Sequence, residues 1–181
     1  MKLLKEATEY ERKFMAYKMH VSLKYGTHLP CLIQAFGKTT GDMLELGTGV
    51  FSTPYLHYAC TLSKRKLVSY ENFQEWFDFI KTYENEYHKV KFVEKYADAP
   101  IDKLWDIVLI DQTPDFSRSE EIRRLANLAK YIIIHDSNPS NDKVTRYSTI
   151  YPLFKYKTDW HGDKNRSTVL SNLVDLEDFW L

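Results

Sequence analysis

Residues 43–53 read MLELGTGVFST: an apolar run holding one carboxylate, two glycines one residue apart, then Ser and Thr. Glycine costs backbone entropy and packs no side chain, so a pair this close marks a sharp turn or a close approach of the main chain. Gly47 and Gly49, with Thr48 between them, would let backbone N–H groups approach a ligand. Thr53 can cap a following helix and Pro54 suits its first helical position, so helix N-terminal donors would face the same place. A carboxylate or phosphate suits such a loop.

Outward from this loop the chain alternates. Residues 3–24 are charged and helical in period, with Ala7, Tyr10, Phe14 and Tyr17 on one stripe, and a short helix is expected over 29–36. Strands are expected at 42–46, 66–70, 90–93, 105–110 and 131–134. Helices are expected between them at 54–62, around Phe73–Ile80 and at 119–130. The second has Phe73, Trp76, Phe77 and Ile80 on one face, and the third has Ile122, Leu125, Ala126 and Ala129. WDIVLI at 105–110 is apolar throughout, as a strand buried on both faces requires. This pattern predicts an α/β, doubly wound, mostly parallel sheet with helices on both faces. A helical stretch at 142–154 then gives way to two strands, 155–160 and 167–171, joined across 161–166 as an antiparallel C-terminal hairpin. The tail LVDLEDFWL should pack back onto the domain.

The 181 residues fit one domain. Within it, 1–40 would be N-terminal helices, 41–136 a cofactor-binding half and 137–181 an acceptor-side half. The 25 basic and 25 acidic side chains balance. A protein that gains affinity by neutralising phosphates should carry a basic excess, so this balance argues against a nucleic-acid partner. Cys31 and Cys60 form no CxxC and read as reduced, buried small hydrophobes. No apolar run nears the ~20 residues of a membrane span, and MKLLKEATEYERK has no signal-peptide core, so a soluble, cytoplasmic protein is expected.

Ligands of open α/β sheets bind beyond the carboxyl ends of the strands. Those ends carry Glu45, Gly47, Gly49, Ser52 and Thr53; then Glu71 and Asn72; Asp98 past the third run; Asp111 and Gln112; and His135, Asp136, Ser137 and Asn138. Against the dinucleotide fingerprint, the third glycine is replaced by Ser52. Glu71 lies where an acceptor for ribose hydroxyls belongs, about 20 residues on. Glu45, just before the glycines, would repel a pyrophosphate but can pair with an ammonium group. An amine, a carboxylate and a ribose together describe S-adenosylmethionine.

These residues resemble class I S-adenosylmethionine-dependent methyltransferases, whose fold is Rossmann-like. ELGTG at 45–49 is similar to that family's first motif, and its extension to Ser52 and Thr53 resembles the subgroup E-x-G-x-G-x-x-S-T. The resemblance covers about residues 42–172. It implies Glu45 and the loop on the methionine end of the cofactor, Glu71 on the ribose, Asp98 at the adenine and Asp111 facing the methyl group. YIIIHDSN at 131–138 also resembles the metal-dependent catechol-type O-methyltransferases. That likeness implies Mg²⁺ on Asp111 and Asp136, although Ser137 stands where that family has Asn and its lysine has no counterpart. A metal-free reading instead makes His135 or Asp136 the general base.

The expected reaction is methyl transfer to an oxygen or nitrogen of a small-molecule or carbohydrate-like acceptor, met by Tyr25, His28, Leu29 and the Trp160-His161 loop. The other histidines (His20, His28, His57, His88, His161) show no ligand spacing and read as surface or half-buried. Two alternatives remain: a non-catalytic S-adenosylmethionine-binding partner subunit, and an NAD-dependent oxidoreductase. No motif specifies the oligomeric state.

Overall fold

The computed structural model describes residues 23–161 and 165–181; the helix expected over 3–24 and His20 lie almost wholly outside them. Seven strands form one sheet: β1 (Met43–Leu46), β2 (Leu67–Glu71), β3 (His88–Phe92), β4 (Trp105–Ile110), β5 (Ala129–Ile134), β6 (Tyr156–His161) and β7 (Arg166–Ser171). Their order is β3-β2-β1-β4-β5-β7-β6. β1 to β5 are mutually parallel, while β7 runs antiparallel to both β5 and β6. This is the mostly parallel, doubly wound sheet with a C-terminal hairpin that the alternation predicts.

Side chains of a strand alternate between the two faces of a sheet, and the core divides accordingly. Leu44, Leu46, Val108, Ile110, Ile132 and Ile134 pack with Ile122 and Leu125 of α4 (Arg118–Leu125). Met43, Ile107, Leu109, Tyr131 and Ile133 pack on the opposite face. There they meet Leu32 and Ala35 of α1 (Leu29–Gly37), and Leu56 and Cys60 of α2 (Ser52–Ser63). Leu176 and Phe179 of the tail join this second layer, and both cysteines are free and buried. Among the described residues no helix is long and apolar enough to cross a membrane.

Three boundaries differ from the periodicity. α4 stops at Leu125 because the next residues enter β5, where Ala129 pairs with Trp105. The sequence pattern runs on unbroken, but pairing with a neighbouring strand overrides it. The 142–154 stretch forms only a four-residue helix, α5 (Asp142–Thr145), followed by two 3₁₀ turns. Arg146 at φ +54° and Pro152 interrupt it. In α3 (Gln74–Ile80) the buried face is Phe79 and Ile80 against Val90, whereas Phe73 caps the helix in an extended conformation and is exposed.

Candidate functional site

Beyond the carboxyl ends of β1, β2 and β4, the loop after β1 is folded tightly. Gly47 sits at φ +82°, and a Cβ there would fall 2.4 Å from the backbone of Gln112, so only glycine fits. Thr48 is fastened to the end of β2: its N–H and its hydroxyl both donate to Glu71 Oε2, at 3.0 and 2.6 Å. The other oxygen of Glu71 accepts the N–H groups of Asn72 (3.0 Å) and Phe73 (2.9 Å). Four donors fill the lone pairs of one carboxylate. Glu71 is therefore the clasp that joins the β1 and β2 loops, whatever else it holds.

Glu45 takes a different place from the one its position beside the glycines suggests. Strand parity puts it on the same face as Met43, under α2, where it is fully buried and lines no part of the two clefts described below. It accepts hydrogen bonds from Thr53 Oγ1 (2.9 Å) and Ser69 Oγ (2.5 Å). Burial raises its pKa to about 7, against the opposing pull of those hydroxyls. Thr53 Oγ1 in turn accepts the N–H of Gly49 at 3.0 Å. The amides of Gly47, Thr48 and Gly49 are thus spent on Tyr70 O, Glu71 and Thr53, and not held out to a ligand. Ser52 is buried at the start of α2.

Two adjoining clefts open at this edge of the sheet. One, of about 320 Å³, is lined by Gly47, Thr48, Glu71, Asn72, Phe73, Trp76, Asp111, Thr113 and Pro114. The other, of about 280 Å³, shares Thr48, Trp76, Asp111 and Thr113 with the first and extends to Tyr25, His28, Gly49, Val50, Phe51, Asp115, Arg118, His135 and Asp136. Asp98 lies outside both, exposed in the 3₁₀ turn after β3. The flat surfaces in the clefts come instead from Phe73, Trp76 and Phe51, which sequence periodicity had assigned to a helix face or passed over.

Asp111 is the hub of the second cleft. Its Oδ1 lies 3.0 Å from Arg118 Nη2 and 3.1 Å from His135 Nδ1. Burial would raise its pKa, but His135 and Arg118 outweigh that and hold it at about 2. Desolvation pulls His135 down, yet the Asp111 charge raises it overall. Its Nε2 lies 3.1 Å from Thr27 Oγ1. Arg118, nearly buried, also reaches Asp115 at 3.1 Å and donates from Nε to Gln112 O. Asp136 follows at φ +54°, a left-handed turn at the end of β5. Its Oδ1 accepts from Asn165 Nδ2, its Oδ2 lies 3.6 Å from His135 Nδ1, and burial raises its pKa.

The third position of the catechol-type magnesium set is taken up within the chain. Ser137, at the place of that family's Asn, is buried and bonded to Thr168 Oγ1, while Arg166 donates to its backbone oxygen. His28 and His88, expected at the surface or half-buried, are 2% and 0% exposed. His28 stacks edge-to-face on His135 with ring centroids 4.8 Å apart. The sequence reading named His28 only as an acceptor-side residue and passed over Arg118. Arg118 pairs with Asp111, and His28 comes near it, only through tertiary packing.

Comparison with solved structures finds the same fold in methyltransferases. The human methyltransferase 10 domain containing protein superposes with a TM-score of 0.58 at 12% identity, covering 83% of this chain and 84% of that one. The human METTL16 catalytic domain, solved with the MAT2A 3′UTR hairpin 1, gives 0.58 at 12% identity over 82% of this chain and 70% of that one. M. capricolum TrmK, solved with S-adenosylhomocysteine as its natural cofactor product, gives 0.51 at 14% identity over 77% and 65%. No family profile and no curated protein matches the sequence. The chain has the Rossmann-like methyltransferase fold.

Proposed function

We propose that this chain is an S-adenosylmethionine-dependent methyltransferase acting on an oxygen or nitrogen. The observation that carries this reading is the sheet itself. Only β7 is reversed, lodged between β5 and β6, and the clefts open at the carboxyl ends beside Asp111. A dinucleotide-binding sheet of order 3-2-1-4-5-6 is parallel at that position.

The residues present fit the cofactor. Gly47 lets the loop pass within reach of Gln112 where any side chain would block it. The first cleft offers the Glu71–Asn72 edge and the faces of Phe73 and Trp76 for a nucleoside. Thr48 and Asp111 line both clefts, where a methionine moiety would pass from one to the other. When bound, the cofactor supplies an electrophilic methyl group on sulfur. The chain's own contribution is alignment and proton handling. Asp136, partly exposed and with a raised pKa, takes the acceptor's proton on its carboxylate. Asp111, paired with Arg118 and His135, stays ionised as a fixed charge. Tyr25, Phe51 and His28 shape the acceptor wall.

METTL16's RNA hairpin puts RNA beside the small-molecule and carbohydrate-like acceptors first expected, despite this chain's zero net charge. The test is calorimetry with S-adenosylhomocysteine and with NAD, followed by a labelled-methyl assay on RNA, sugars, catechols and amines. Saturable binding of S-adenosylhomocysteine without NAD binding supports the reading. A folded chain that ignores S-adenosylhomocysteine overturns it, and binding without turnover on any acceptor favours a non-catalytic partner subunit.

A further inference from the structure

Three side chains that no local motif connects meet at the wall of the second cleft: His28, just before α1; Asp111, after β4; and His135, after β5. One donor atom from each lies within 4.8 Å of the others. We propose that they form a binding site for a divalent transition metal of the Zn²⁺ class.

The second observation is His28 itself. It is 2% exposed, and among the described residues neither ring nitrogen has a hydrogen-bond partner. Buried polar groups are almost always paired, so an imidazole with both nitrogens orphaned needs an explanation. A neutral imidazole nitrogen with no other partner is the form that ligates metals. The opposite wall supplies the other donors. Asp111 lines the same cleft as His28 and His135, with Oδ1 turned to Arg118 and His135. His135 points Nδ1 at Asp111 while Nε2 meets Thr27 Oγ1 at 3.1 Å. A ligand histidine fixed through its second nitrogen is the usual support around a metal, and an ion here would take the place of the proton that His135 and Asp111 share.

Two imidazoles and one carboxylate suit Zn²⁺ and its neighbours in the first transition row, whereas Mg²⁺ and Ca²⁺ prefer oxygen donors. Three protein ligands leave a coordination position for water or substrate, the pattern of catalytic sites. Ligation at ~2.1 Å would draw the donors together by roughly an ångström, to a mutual spacing of about 3–4 Å. The surroundings favour a cation: Asp115 and Asp136 lie beside the site with Asp111, and among the described residues Arg118 pairs with Asp111 and Asp115. On the methyltransferase reading, an ion there would acidify an acceptor hydroxyl held in the cleft. The metal site itself does not depend on that reading.

The test uses the untagged, metal-free chain of 181 residues. Calorimetry with Zn²⁺, and absorption titration with Co²⁺ as a coloured probe, should each give one equivalent per chain, and Mg²⁺ should not compete at equal concentration. His28→Ala should weaken Zn²⁺ by at least ~100-fold, because a lost ligand costs more than the ~10–100-fold seen for outer partners. Thr27→Val should weaken it by ~10-fold, and His161→Ala should leave it unchanged. Should His28→Ala fail to fold, X-ray absorption at the zinc edge of the wild-type complex decides, by counting two imidazoles. Absence of a one-equivalent site, undiminished binding by folded His28→Ala, or a shell without imidazole overturns the proposal. S-adenosylhomocysteine calorimetry on the same samples reports separately on the methyltransferase reading.

Discussion

Glu71→Gln separates two jobs that one carboxylate could do. A ribose acceptor that waits for its ligand should leave the free protein's stability untouched when it becomes an amide. Glu71 is not waiting: it already takes four hydrogen bonds, from Thr48 N, Thr48 Oγ1, Asn72 N and Phe73 N, while only 5% exposed. Glutamine keeps the shape but turns one oxygen into a donor, so two of those four donors face another donor. Each bond to a charged acceptor is worth about 1.5–3 kcal/mol. Losing two would cost about 3–6 kcal/mol, and water entering from the adjoining cleft favours the lower end, about 3 kcal/mol. For a chain of this length that corresponds to a Tm lower by roughly 6–12 °C. Urea and thermal unfolding of the ligand-free variant measure it directly, and calorimetry with S-adenosylhomocysteine should show weakened binding in parallel. Ligand-free stability within about 0.5 kcal/mol of wild type, the range of ordinary surface substitutions, would refute the clasp, even if binding were lost.

The remaining tests address neighbouring parts of the site. Gly47→Ala puts a Cβ 2.4 Å from the Gln112 backbone at φ +82°; it should destabilise by more than about 3 kcal/mol and abolish S-adenosylhomocysteine binding, read by unfolding and calorimetry. Glu45 is held protonated in the folded chain by a pKa raised from 4.5 to about 7. The folded state therefore binds the proton that the unfolded state releases, and stability should fall as pH rises from about 4.5 to 7, by about 3 kcal/mol. Glu45→Gln should remove most of that slope in pH-dependent urea melts, because Ser69 can accept from the new amide and donate to His88 Nε2 at 2.9 Å; an unchanged slope would count against it. Arg118→Leu strips Asp111 of its guanidinium partner and should cost about 3–5 kcal/mol, the usual penalty for breaking a buried pair. It should also raise the Asp111 pKa, as followed by carboxyl NMR.

The parallel sheet was legible because strands buried on both faces write themselves as apolar runs. WDIVLI and YIII say β4 and β5 without help. The site was legible to the level of which loops matter, since strand ends follow from strand positions. What each carboxylate does was not. Glu45 stands next to the glycines in sequence, but the alternation of β1 turns it away under α2. Glu71 stands where a ribose acceptor belongs, but four local donors reach it first. Arg118, and the closeness of His28 to His135 and Asp111, were hidden for the opposite reason: these residues are distant in sequence, and no period or spacing encodes an approach made by packing α1 and α4 against opposite sides of the sheet.

The reversed strand has a consequence for the order in which the molecule can be assembled. β7 pairs on one side with β5, through Ile132–Ile134 against Thr168–Leu170, and on the other with β6. Among the described residues β6 pairs with the sheet only through it. Until residues 166–171 arrive, β5 therefore presents an unpaired apolar edge of the kind that recruits foreign strands, and β6 has nowhere to lie. Five strands can be laid down progressively as they emerge from the ribosome, but the sheet stays open at that edge until β7 is threaded between its neighbours. A nascent chain held just short of β7 should thus be the species that most needs a chaperone.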